Sequence, residues 1–142
     1  GLKYARKYNI PYKFFSSDDK KLFERSCLLE LREKKIKFIC LAGFMKVLSK
    51  NFIRSFHHKI INIHPSLLPK FKGLNTYNRA LKNNEKYTGC TVHHVSPQPD
   101  SGNIILKKKI IIYDNDTENS LKKRILKQEH KLYPAAIRCS FR

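Results

Sequence analysis

No apolar run in this chain approaches the roughly 18–20 residues that a helix needs to cross a bilayer, which excludes a membrane-spanning helix. Acid is scarce: 11 Asp and Glu stand against 30 Lys and Arg, a net charge of +19. Such a balance could serve a polyanion partner, since basic faces gain affinity by releasing counterions. The lysines, however, are spread through the chain and lack the interleaved aromatic platform on which single-stranded nucleic acid stacks. Lysine far outnumbers arginine, and isoleucine and asparagine are plentiful, as A/T-rich codons produce. The charge is therefore assigned to compositional drift, and no nucleic-acid partner is expected. The four cysteines have no short metal-binding spacing. The adjacent pairs His57-His58 and His93-His94 would point to opposite faces of a strand, so no metal is expected. Cys27 lies in a helical pattern and Cys40 in an apolar run, which predicts buried thiols in a reducing compartment, the cytoplasm. No internal repeat, low-complexity segment or linker is visible. The 142 residues, 41% apolar, read as one globular domain large enough for a core.

The pattern along the chain predicts an α/β fold. Residues 1–9 read as the end of a helix, and 10–15, with Pro11, as a short edge strand. Ser16-Ser17-Asp18-Asp19 offers helix caps ahead of Leu22, Phe23, Cys27, Leu28 and Leu31 at helical spacing. Residues 36–41 form a continuous apolar run, as in a strand buried on both faces. Ser49 can cap a brief helix with Phe52, Ile53 and Phe56. The apolar run Ile60-Ile61-Asn62-Ile63-His64, at the head of the stretch 59–74, reads as a buried strand stopped by Pro65 and Pro69. A one-sided helix is expected at 76–83, and strands at 87–95 and 103–113. A last helix starts near Asp116-Thr117, runs to Leu132 with Leu121, Ile125 and Leu132 inward, and is interrupted at Pro134. Strand–helix–strand alternation at these intervals argues for a mostly parallel, Rossmann-like layered sheet. Helices should cover both faces, and the C-terminal part should be antiparallel.

The chemistry concentrates at Ile61-Asn62-Ile63-His64-Pro65. A strand period of two puts Asn62 and His64 on one side of the sheet, where strand meets loop. An amide donor beside an imidazole suits a reaction that develops an oxyanion. Asp100, the only acid between Glu85 and Asp114, sits in a Pro/Ser/Gly loop between two strands. If the fold brings it beside His64, its carboxylate favours the imidazolium. Taken singly, His64 reads as a structural histidine and Asp100 as a turn residue. His93 could face the same site or lie in the core.

These residues belong to a wider pattern. Leu41-Ala42-Gly43-Phe44-Met45, Ile61-Asn62-Ile63-His64-Pro65-Ser66-Leu67-Leu68-Pro69 and Gly73-Leu74-Asn75-Thr76 occur in order. Gly89-Cys90-Thr91-Val92-His93, Asp100-Ser101-Gly102 and Glu129-His130 with Leu132-Tyr133-Pro134 follow. Over essentially its whole length the chain resembles the folate-dependent formyltransferase family, in the branch that acts on phosphoribosylglycinamide in purine synthesis. The resemblance implies transfer of a formyl group from 10-formyltetrahydrofolate to the amine of phosphoribosylglycinamide, without a metal. It implies catalytic roles for Asn62, His64 and Asp100. Met45, Lys46, Val47, Leu48 and Asn62 would meet the folate, with the 97–102 loop closing over the pteridine. Pro65 and Glu129 would meet the acceptor. Without the resemblance, Met45 to Leu48 would be an ordinary strand-to-helix turn and Glu129 a solvated charge.

The chain departs from the family pattern at its ends. Relatives begin with a strand, a Gly-Ser-Asn turn, a helix and a further strand. That turn's free N–H groups at a helix N-terminus hold the substrate phosphate. Neither this segment nor the family's C-terminal extension is present, and the first residue is Gly1 rather than methionine. The expectation is a piece of a single formyltransferase domain carrying the folate half and the trio. A sheet edge uncovered in this way would favour self-association. Rival readings are a methionyl-tRNA formyltransferase, a formyltetrahydrofolate deformylase, or an inactive basic binding module. Pro65 and the segments at 73–76 and 129–134 favour the glycinamide branch over the other two enzymes. An intact trio argues against decay.

Overall fold

In the computed structural model, which describes residues 1–141, the chain divides into two compact units, Gly1–Ile36 and Lys37–Arg142. The first unit is helical. It holds α1 (Leu2–Lys7) and α2 (Lys20–Glu33). The carboxylate of Asp19 caps α2 by accepting from the N–H groups of Lys21 (2.7 Å) and Leu22 (3.0 Å), two of the donors that a helix start leaves unpaired. The edge strand expected at 10–15 does not form. A strand needs a ladder partner, this unit supplies only helices, and Tyr12 and Phe14 stay exposed.

The second unit contains β1 (Phe38–Leu41), α3 (Lys50–Ser55), β2 (Lys59–His64), α4 (Thr76–Lys82), β3 (Tyr87–His94), β4 (Ile104–Ile111) and α5 (Glu118–Ser140). The strands lie in the order β1-β2-β3-β4. The expected α/β layering and antiparallel C-terminal part are present. Parallel pairing has a smaller share than expected: β1 and β2 are parallel, whereas β2–β3 and β3–β4 are antiparallel. The run at 36–41 is also not buried on both faces. β1 stands at the sheet edge, and Cys40 is exposed rather than buried. Cys27 is half-buried, and Cys90 is buried.

Register assigns the two faces of the sheet. Ile63 sits opposite Val92 and Ile61 opposite His94, while Asn62 sits opposite His93 and His64 opposite Thr91. One set, Ile61, Val92 and Cys90, packs against α5 in two adjoining clusters that include Ala136, Leu121 and Ile125. α5 is not interrupted at Pro134 but continues to Ser140. Proline removes one helix hydrogen bond. Leu132 and Ala136 on either side of it are both anchored in the core, which carries the helix through. The opposite set, Asn62, His64, Thr91 and His93, faces the 65–74 segment. There Thr91 Oγ1 donates to the Ser66 carbonyl (2.7 Å) and accepts from Leu68 N–H (3.1 Å). Leu67 lies so close to Gly89 that a Cβ there would come within 2.8 Å of its side chain. The 65–74 segment is thereby clamped over the strand end that carries the candidate site.

Candidate active site

The antiparallel β2–β3 register puts the side chains of Asn62 and His64 on the same face as His93. The loop after β3 then returns Asp100 to them. Asp100 adopts φ +49, a left-handed conformation open to aspartate in tight turns. A Cβ on Gly102, two residues on, would fall 1.8 Å from the His94 carbonyl oxygen, so only glycine lets the loop turn back this tightly.

The trio is brought together. Asp100 Oδ2 lies 3.4 Å from His64 Nδ1 and accepts from the Gly73 N–H at 2.9 Å. Asp100 Oδ1 lies 3.5 Å from His93 Nε2. His64 is 6% exposed, and its Nε2 sits 2.9 Å from the Phe71 carbonyl oxygen. Both ring nitrogens of His64 therefore face oxygen acceptors, an arrangement that the doubly protonated imidazolium satisfies. The Asp100 carboxyl is held well below its ordinary range, at about 2. The hydrogen bond from His93 is the largest cause, opposed by burial and reinforced by the Gly73 N–H and the charge of His64.

His93, left open by sequence between site and core, belongs to the site. It is 2% exposed, with Nδ1 2.9 Å from the His94 carbonyl. With Nδ1 donating there, Nε2 lies 3.4 Å from the Asn62 amide nitrogen and 3.5 Å from Asp100 Oδ1: protonated it donates to the carboxylate, unprotonated it accepts from the Asn62 amide. One imidazole thus links two members of the trio. Sequence gave no signal for this, because the partner of Asn62 across the sheet depends on β2–β3 register. The carbonyl of Phe71 and the N–H of Gly73 were equally invisible, since backbone groups carry no residue signature.

The trio opens onto a cleft of about 730 Å³. Met45, Lys46, Val47 and Leu48 line one wall, with Met45 and Val47 exposed and Leu48 buried. Pro65 and Glu129 also line the cleft. Burial pushes the Glu129 carboxyl above its ordinary value, with His130 opposing. Every residue singled out from sequence therefore reaches one cavity. An apolar wall ending in a buried donor–imidazole–carboxylate set can hold a flat hydrophobic ligand and stabilise an oxyanion at its end. Among the described residues no group of three or more His, Cys, Asp or Glu could hold a metal ion.

Comparison with known proteins agrees with this geometry. The formyl transferase family profile matches residues 1–137. Phosphoribosylglycinamide formyltransferase of Bacillus subtilis is 39% identical over 137 residues, which cover 94% of this chain and 70% of the relative. The trifunctional purine biosynthetic protein adenosine-3 of Chironomus tentans is 41% identical over 141 residues. Among solved structures, phosphoribosylglycinamide formyltransferase from Brucella melitensis superposes with a TM-score of 0.90 at 41% identity, covering 99% of this chain and 73% of its own. The chain belongs to the formyl transferase family. It spans only about 10% of the length of the Chironomus relative.

Proposed function

We propose that this chain carries the folate-binding and catalytic part of a phosphoribosylglycinamide formyltransferase, working in purine synthesis in the cytoplasm. The observation that carries the reading is the convergence of Asn62, His64 and Asp100 on the cleft that Met45–Leu48 line. The relatives named phosphoribosylglycinamide formyltransferase support the choice of acceptor. β1 at the sheet edge, with Cys40 exposed, supports reading the chain as part of one domain whose phosphate-holding turn lies in another segment.

In the proposed reaction the formyl group of 10-formyltetrahydrofolate lies beside Asn62, with the folate body along Met45, Lys46, Val47 and Leu48. The neutral amine of the acceptor attacks the formyl carbon, forming a C–N bond and a tetrahedral oxyanion. The Asn62 amide donates to that oxygen. Protonated His64 donates to it by turning its Nε2–H from the Phe71 carbonyl, its acceptor in this structure, while Nδ1–H stays on Asp100. Asp100 holds His64 in its charged, oriented form. The proton released by the attacking amine passes by way of this pair to N10 of the folate. Collapse of the intermediate then breaks the C–N10 bond and leaves a formamide and tetrahydrofolate. Glu129, a half-buried carboxyl facing the cleft, accepts a hydrogen bond from the amine or ribose of the acceptor. Pro65 packs beside the same acceptor.

The test is formyl transfer by the full-length polypeptide. With 10-formyltetrahydrofolate and phosphoribosylglycinamide, tetrahydrofolate should appear in equal amount with formylated product. Release of formate without acceptor would instead favour a deformylase, and absence of both products would refute the reading.

A further inference from the structure

Arg79 stands on the exposed side of α4 and does not line the cleft. Its Nη1 nevertheless donates to two carbonyls that bracket Gly73, those of Lys72 (2.6 Å) and Leu74 (3.3 Å). Its guanidinium lies 5.2 Å from the centre of the Phe71 ring, within cation–π range. The Lys72 carbonyl and the Gly73 N–H belong to one planar peptide unit. Fixing the oxygen on one side of that plane fixes the direction of the N–H on the other. That N–H is the one donated to Asp100 Oδ2. A donor on the carbonyl also polarises the unit and strengthens its N–H as a donor.

The neighbouring peptide is held in the same way. Phe71 has φ +54, a left-handed conformation that is strained for a bulky residue and must be stabilised by its surroundings. In that conformation its carbonyl oxygen meets His64 Nε2. Stacking of Arg79 on the Phe71 ring stabilises the turn from outside. Lys72 Nζ adds a second tie, to Ser101 Oγ at 2.7 Å, so loss of Arg79 loosens the segment without freeing it.

We infer that Arg79 is a positioning residue: by holding segment 71–74 it aims the Gly73 N–H at Asp100 and the Phe71 carbonyl at His64. The inference rests on the reaction proposed above, but its geometry can be read without it. A lysine ammonium would supply N–H donors but not the planar guanidinium that stacks on the Phe71 ring.

Full-length Arg79→Met and Arg79→Lys variants test this, with amide hydrogen exchange and steady-state kinetics measured on both. In Arg79→Met the Gly73 amide should exchange at least about tenfold faster, while Thr91 and Val92 in β3 are unchanged. Its kcat should fall roughly tenfold or more, with KM for both substrates within about twofold, as expected for misaligned catalytic groups. Arg79→Lys should recover part of both effects. Unchanged Gly73 exchange, unchanged kcat, or a loss confined to KM would overturn the inference. A wild-type protein that transfers no formyl group would overturn the reaction instead, and the Gly73 exchange rates would still decide the positioning.

Discussion

Asp100 is the most heavily constrained member of the trio, touched by two imidazoles and one backbone N–H. Its folded carboxyl titrates at about 2, against an ordinary 3.8. A depressed carboxyl contributes stability that is fully present above the unfolded value and is lost as pH falls through the folded one. The contribution here is roughly 2 kcal/mol. Asp100→Asn should therefore be less stable than the parent at pH 6, and the gap should close between about pH 4 and pH 2. A carbon NMR titration of the Asp100 carboxyl should give a midpoint near 2, and a midpoint near 3.8 would remove the two histidines as its partners. At this scale the sequence was most informative. A period of two sufficed to pair Asn62 with His64, because strand alternation is a local property. The place of His93 depended on register and that of Gly73 on backbone groups, neither of which residue identity encodes.

Among the elements, β3 leaves no room for a side chain at Gly89. A Cβ on Gly89 would meet the Lys108 carbonyl oxygen at 1.9 Å and the Leu67 side chain at 2.8 Å. Gly89→Ala must therefore part β3 from β4, and it also presses on Leu67 of the 65–74 segment. Overpacking of this kind costs about 1–3 kcal/mol or more. Chemical denaturation should show that loss, together with reduced formyl transfer, because the same segment supplies the Phe71 carbonyl and the Gly73 N–H. A variant as stable as the parent would contradict this packing. Boundaries of β2, β3, α4 and the start of α5 were legible from periodicity and capping. The misreadings at 10–15, β1 and Pro134 share one cause. Whether an apolar stretch finds a ladder partner, lies at an edge or is anchored beyond a proline is decided by its neighbours in space.

For the whole molecule, the charge of +19 is the property that function absorbs least. Much of it is dispersed along exposed positions, such as Lys108 and Lys109 on β4 and Lys122, Lys123 and Lys127 on α5. The protein should accordingly bind single-stranded RNA no more tightly than non-specific contacts allow, with a Kd of about 10⁻⁴–10⁻⁶ M at physiological salt. Filter binding across a salt series checks this, and nanomolar affinity would revive a nucleic-acid role. No helix among the described residues is long and apolar enough to cross a membrane.

The central claim is that Asn62 and His64 act on the formyl oxygen as charge develops on it, not on ground-state binding of folate. The most direct measurement is single-turnover formyl transfer by Asn62→Ala and His64→Ala in the full-length polypeptide, alongside affinity for a non-reactive folate analogue. Loss of an oxyanion donor should lower the transfer rate on the order of 10²–10³-fold. Analogue affinity should change by less than about tenfold, the mark of an interaction made only in the transition state. Near-normal transfer in either variant, or a loss explained wholly by weaker folate binding, would contradict the account.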